Sequence, residues 1–453
     1  MLLTIICHCI LIFTTITFVS AEQSSTCWLP SANIPDCEFP IENLPYGVYR
    51  KAGTMEQFRI GVAIGDFILD LQELLKAGLL DSLNNEIRNA VCQSSLNDLM
   101  SLDPLEWHTL REALIVILSN DCTILRDNEA LKQRLFLHRK NAEMKVPVIV
   151  GDYTDFYTSL NHALNVGKMF RPDNPLFSNF KYLPIAYHGR ASSIVISGVD
   201  VYRPFGQYPV IEGNSPSFLP SQKLDYEMEL GAFVGQGNKI GNLISINNAQ
   251  NHLFGAVILN DWSARDIQKW EYQPLGPFNG KNFCTSISPW IVTFEALKPY
   301  RIKGPPRSKD DPSIPSYLFS EENLALDITV EVWILTSNMR INGQDPVLLS
   351  RSNFCDQYWS FEQMLVHHTS SGCNLRPGDL IGSGTISGVE HGTEGCLLEL
   401  TKGGKSPFQL PDGSERKFLE DGDEIIMKAY SQKGGLPKIS FGECRARVLG
   451  VKQ

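Results

Sequence analysis

Residues 224–237 read LDYEMELGAFVGQG. Asp225, Glu227 and Glu229 alternate with Tyr226, Met228 and Leu230, and the apolar run Ala232-Phe233-Val234 follows. Alternation by two is the period of a β-strand, whose successive side chains point to opposite faces. The stretch therefore predicts one strand with an apolar face and an acidic face. Two readings of the acidic face are open on spacing alone. It is a solvated edge, or its carboxylates converge on a divalent cation, because clustered carboxylates repel unless a hard cation sits among them. Further acids elsewhere in the chain have to decide.

The chain around this strand has 453 residues, 43% hydrophobic and 20% charged, enough for two or three globular domains. The formal net charge is −10 and the pI about 5.5. That balance argues against nucleic acid or an anionic membrane as a partner, but leaves room for a small anionic substrate in a local basic pocket.

Residues 1–21, MLLTIICHCILIFTTITFVSA, are apolar and end on short residues before Glu22. They predict a cleaved secretory signal and an extracellular destination, with no membrane segment in the mature chain. The eleven cysteines include Cys7 and Cys9 in this leader, leaving nine scattered ones with no C-x-x-C pair. An odd count predicts free thiols rather than a disulfide framework or a zinc site. That count, and the lack of any N-x-S/T acceptor, weigh towards the cytoplasm instead.

RIGVAIGDFILDLQELLKAGLL (59–80) reads as strand, glycine turn, strand, helix, and residues 82–142 read as mostly helical. From about residue 147 glycine, proline, tyrosine and β-branched residues rise. This predicts a leader over 1–21, an N-terminal domain over 22–146 and a larger β-rich domain over 147–453. Residues 300–318 read as a proline-rich charged loop.

Polar groups recur inside this apolar frame. GDYTDFYTSLNHALNVGKMFR (151–171) supplies Asp155, Tyr157, His162 and Arg171. The stretch from Asn260 to Trp290 puts Asp261 at a strand's end, where it could cap the next helix. Arg265, Gln268 and Tyr272 then fall on one helical face, before Gly280, Lys281 and Thr285. No phosphate-binding G-x-x-x-x-G-K-[ST] pattern is present there. Thr385 sits among Gly382, Gly384 and Gly388, and Glu399 lies between leucines in what reads as a strand.

Together, GDYTDFY, YHGRASS, LDYEMEL, NDWSARDIQKWEY, SPW, GCNLRPGDLIGSGTISG and RKFLEDGDE resemble the fumarylacetoacetase family, from about Asp36 to Val448. The resemblance implies a mainly β fold with some α: an SH3-like N-terminal barrel and a C-terminal β-sandwich roll, working as a homodimer. It implies hydrolysis of the carbon–carbon bond of 4-fumarylacetoacetate to fumarate and acetoacetate, the last step of tyrosine and phenylalanine breakdown. Asp155, Glu227, Glu229 and Asp261 match metal ligands, with Lys281 and Thr285 at positions linked to magnesium, so the implied cofactors are Ca²⁺ and Mg²⁺. His162 matches the general base and Glu399 the acid that orients it. Arg265, Gln268 and Lys281 match an alkoxide clamp, and Tyr157, Arg171, Tyr187, Gln268, Tyr272 and Thr385 match substrate-binding positions. Two features depart from the family. Cys284 stands where glycine is usual, predicting crowding beside Thr285, and the leader is foreign to a cytosolic family. The alternatives are a related hydratase, isomerase or decarboxylase acting on another oxo-acid, and an exported module that only binds a metal or a partner.

Overall fold

The structure is a computed structural model that describes residues 26–322 and 324–452. The leader of residues 1–21 lies outside them.

In the N-terminal part, five strands form an antiparallel sheet in the order Phe136–His138, Phe67–Asp70, Arg59–Ile64, Tyr46–Lys51, Ala142–Lys145. The two edge strands are joined by the short Arg139–Asn141 turn, and no described ladder pairs them, so the barrel is half open. The expected strand, turn, strand, helix is present over 59–76. Helices fill most of 85–135, but the helical reading of 82–142 runs too far, since Phe136–His138 and Ala142–Lys145 are strands. The longest, Pro104–Leu118, starts on Asp103, whose side chain accepts from Leu105 N–H, and buries Leu110, Leu114 and Leu118.

The C-terminal part has two sheets. One has the path Ile185–His188, Tyr153–Tyr157, Leu380–Gly382, Met228–Val234, Leu253–Asp261, Thr285–Ile287, Ile194–Ile196. The other runs Val347–Asn353, Thr329–Leu335, Glu424–Ser431, Ile439–Leu449, Val201–Tyr202. Between them, Met228, Leu230, Ala232 and Ile258 of the first meet Val330, Val332, Ile425 and Met427 of the second in one large core. This is the sandwich that the family resemblance implied, with the apolar face of the opening stretch in its core.

The opposite face of the first sheet positions the site. Its apolar end, with Tyr153, Phe233, Val257, Leu259, Ile287 and Leu380, is covered by the N-terminal domain in a second, shared core. Two residues along the same strands, with the same side-chain parity, stand Asp155, Asp261 and Thr285. The acidic face of the opening stretch is therefore buried, with Asp225, Glu227 and Glu229 at 0, 5 and 0% exposure, and the solvated-edge reading does not hold. The stretch is also not one strand. Leu224–Asp225 pairs with Ser263–Ala264, the ladder breaks at 226–227, and Met228–Val234 resumes it. No helix among the described residues is long and apolar enough to cross a membrane, and the nine described cysteines are all free thiols.

Candidate active site

Register builds the acidic centre. Tyr187 stands opposite Asp155, Asp155 opposite Gly382, and Asp261 opposite Thr285 on adjacent strands. Glu229 lies two residues before Gly231, which is itself opposite Gly382. Carboxylate oxygens of Asp155, Glu229 and Asp261 come within 4.8 Å of one another, all buried. Gly382 is what lets them converge. A Cβ there would stand 2.9 Å from Asp155 Oδ1 and 3.2 Å from Glu229 Oε2. Two residues on, Gly384 takes φ +76°, which only glycine adopts freely, and its N–H donates to Glu229 Oε2 at 3.0 Å.

Glu227 stands apart from this trio. Arg265 Nη1 donates to its Oε1 at 2.6 Å and Lys281 Nζ to its Oε2 at 2.5 Å. Lys281 also bridges to Asp261 Oδ2, which Tyr187 OH approaches at 3.2 Å. Lys281 thus acts as a counter-ion. Burial opposes its charge, but Asp261 and Glu227 outweigh that and hold the ammonium above its ordinary pKa. A protonated ammonium has no lone pair to offer a metal.

Charge counting decides between a structural and a cation-binding reading. Asp155, Asp225, Glu227, Glu229 and Asp261 are buried, and among the described residues only Arg265 and Lys281 are buried cations ion-paired with them. Each uncompensated buried charge costs several kcal/mol. Asp155 Oδ1 and Glu229 Oε1 are buried with no hydrogen-bond partner among the described residues. Burial, then repulsion between neighbouring carboxylates, pushes Asp155 and Glu229 well above the usual carboxylate range. Asp261 is pushed up to about 6, chiefly by burial. Orphaned oxygens on an all-carboxylate donor set fit a hard divalent cation.

A second centre adjoins it. His162 lies in the helix Leu160–Phe170, which Ser159 caps by accepting from His162 N–H at 3.2 Å. His162 Nδ1 is 2.6 Å from Glu399 Oε2. Glu399 sits in a short helix, Leu397–Leu400, and not in the expected strand. Burial opposes its charge, yet His162 and its hydrogen bonds hold it below the usual carboxylate range. An ionised Glu399 can only accept, which puts the imidazole proton on Nδ1 and leaves Nε2 as a base. Three partners of Glu399 escaped the sequence reading. Asn165 donates to Oε1 at 3.0 Å, and Ser387 and Cys396 donate to Oε2 at 2.9 and 3.1 Å. Asn165, three residues after His162 on one helical face, was findable from spacing. Ser387 and Cys396 meet only through the fold.

Glu227 joins the two centres. Burial opposes its ionisation, but Lys281, Arg265 and His162 together hold it low. Arg265 and Gln268 share a face as expected, with Nη1 3.1 Å from Gln268 Oε1, and Tyr272 caps that helix half-buried. Ala264 is the helix N-cap, so Asp261 does not cap it and is spent on Lys281 and Tyr187. The Tyr157 ring meets His162 edge-on at 5.4 Å. Arg171 stacks over Phe177 at 4.0 Å, and Thr385 is buried just beyond Gly384. Cys284 does not crowd Thr285. It is 6% exposed and packs into the main sandwich core, on the face opposite Thr285, which also removes it from easy oxidation.

Comparison with known proteins places the whole chain. Residues 153–449 match the family model described as Fumarylacetoacetate (FAA) hydrolase C-terminal, and residues 42–147 the one described as Fumarylacetoacetase N-terminal. The chain is 48% identical over 417 residues to a fumarylacetoacetase of Arabidopsis thaliana, covering 91% of this chain and 96% of that one. It is 45% identical over 437 residues to one of Caenorhabditis elegans, covering 96% and 99%. It is 46% identical over 418 residues to one of Homo sapiens, covering 91% and 97%. The chain belongs to the fumarylacetoacetase family.

Proposed function

We propose that this enzyme hydrolyses 4-fumarylacetoacetate to fumarate and acetoacetate. The observation that carries the reading is the buried His162–Glu399 pair beside a carboxylate cradle and an arginine with a free donor. The relatives are named fumarylacetoacetases, and the chain spans nearly all of their length.

The steps follow from the residues. His162 Nε2 takes a proton from water, and the oxygen adds to the ketone carbon next to the double bond. Glu399 stabilises the imidazolium that forms. Arg265 Nη2, buried and without a partner among the described residues, is available for the developing alkoxide. Collapse of the alkoxide breaks the carbon–carbon bond, and the leaving enolate takes up the proton to become acetoacetate. No Ser or Cys nucleophile is needed. Asp155, Glu229 and Asp261, with Glu227, would hold the divalent ion, Ca²⁺ in this proposal, with Mg²⁺ near Thr285. When bound, such an ion supplies charge for the diketone oxygens and the enolate. Tyr157, Arg171, Tyr187, Gln268, Tyr272 and Thr385 form the substrate pocket, and two chains assemble as a dimer.

Hydrolysis in H₂¹⁸O tests the chemistry. One label atom should appear in the new carboxylate of fumarate and none in the ketone of acetoacetate before exchange. Label in malonate, the product of water adding to the other ketone, would mean that another bond is cut.

Export of the chain through the leader is proposed on the sequence alone, and sequencing the native N-terminus tests it. A chain beginning at Glu22 supports export, and one beginning at Met1 returns the enzyme to the cytoplasm.

A further inference from the structure

We propose that Asp225, the third acid of the opening stretch, is a positioning residue that locks the Arg265 clamp to the helix carrying Glu399. The inference rests on the hydrolase reading above. Asp225 is fully buried and its carboxylate accepts four hydrogen bonds. Oδ1 takes Tyr226 N–H at 2.9 Å and Leu397 N–H at 2.7 Å. Oδ2 takes Leu398 N–H at 2.9 Å and Arg265 Nε at 2.9 Å. An ionised carboxylate has about four lone-pair sites, so none remains for a metal or a substrate. Sharing the alternation of Glu227 and Glu229 does not make Asp225 a ligand.

Its partners give it another task. Leu397 and Leu398 are the first two residues of the helix Leu397–Leu400, whose leading N–H groups have no partner within the helix. Glu399 is the next residue. The remaining side-chain partner is the Arg265 fork, which spans Asp225 through Nε and Glu227 through Nη1, leaving Nη2 free. One carboxylate therefore fixes the group that orients the base and the group that faces the alkoxide. Any displacement of Asp225 disturbs both at once, whereas the Asp155–Glu229–Asp261 cradle is held by other strands.

The test uses Asp225→Asn and Asp225→Glu in the full-length protein, with folding checked by circular dichroism. Asp225→Asn puts an NH₂ group against donors. Asp225→Glu keeps the charge and moves it by a methylene. Both should lower kcat on fumarylacetoacetate by about 10²-fold, with KM changed much less. Ca²⁺ affinity, measured by calorimetry without substrate, should stay at the wild-type value. If a folded variant keeps wild-type kcat, the proposal is overturned. It is overturned equally if Ca²⁺ affinity falls with kcat, or if neither variant folds, since Asp225 would then serve the metal or the fold alone. If only Asp225→Asn fails to fold, kcat of Asp225→Glu decides. Wild-type protein with no activity on fumarylacetoacetate would sink the functional reading instead.

Discussion

His162 and Glu399 are 237 positions apart in the chain, yet Nδ1 of one lies 2.6 Å from Oε2 of the other, both buried. The sandwich brings the start of one helix against another short helix, and the pair makes sense only together. That same Oε2 also receives Ser387 and Cys396 while Oε1 receives Asn165, so an amide at 399 turns its NH₂ against a donor in either orientation. Glu399→Gln should lower kcat by about 10²–10⁴-fold with little change in KM, because the charge opposite the imidazolium is lost. Steady-state kinetics checks this, and an unchanged kcat would remove Glu399 from the mechanism.

The carboxylate cradle predicts a pH-dependent effect of chelation. Asp261 is raised from 3.8 to about 6 by burial, and Asp155 and Glu229 move the same way. A carboxyl whose folded pKa is raised contributes stability below its unfolded pKa and loses it as pH rises through the folded value. Metal-free protein should therefore be penalised between the ordinary carboxylate range and about 6 or above. The difference in Tm between Ca²⁺-loaded and chelated protein should be small near about pH 5 and widen towards about pH 7.5. Calorimetric scans at the two pH values measure it. A gap that narrows as pH rises would contradict the charge counting.

Gly382→Ala separates the cradle from the fold. The added Cβ would press on Asp155 Oδ1 and Glu229 Oε2. Divalent-ion affinity should fall by about 10–100-fold in titration calorimetry, while circular dichroism stays native. Wild-type affinity in this variant would show that these two oxygens do not converge on an ion.

Arg265→Lys keeps a positive charge and loses the planar fork between Asp225 and Glu227. A fall in kcat of about 10²-fold or more is expected, from the lost alkoxide donor. A change confined to KM would reduce Arg265 to a substrate-binding role.

Much of this was legible in the chain. The alternation of 224–234 gave a strand with an apolar face but left its acidic face open between solvent and a cation, and only the family resemblance matched 155, 227, 229 and 261 to metal ligands. What spacing could not show was the division of labour among the acids. Asp225 and Glu229 share a parity, but the ladder break at 226–227 sends Asp225 to the Leu397–Leu400 helix and leaves Glu229 under Gly384. Glu399 between leucines read as a strand because four residues carry too little periodicity to separate a helical turn from a strand. Asp261 looked like a helix cap because a strand-end aspartate often is one; here Lys281, twenty residues on, claims it first. Cys284 looked intrusive beside Thr285, though adjacent strand residues face opposite ways and its thiol enters the core.

The central claim is that this acidic, histidine-equipped site cleaves a β-diketone with a divalent ion present. The most direct measurement follows fumarylacetoacetate absorbance with purified protein, before and after chelation and on adding back Ca²⁺ or Mg²⁺, with both products quantified. The account predicts loss of absorbance, fumarate and acetoacetate in equal amounts, abolition by chelation and recovery with the ion. Folded, ion-loaded protein that leaves fumarylacetoacetate intact would contradict it.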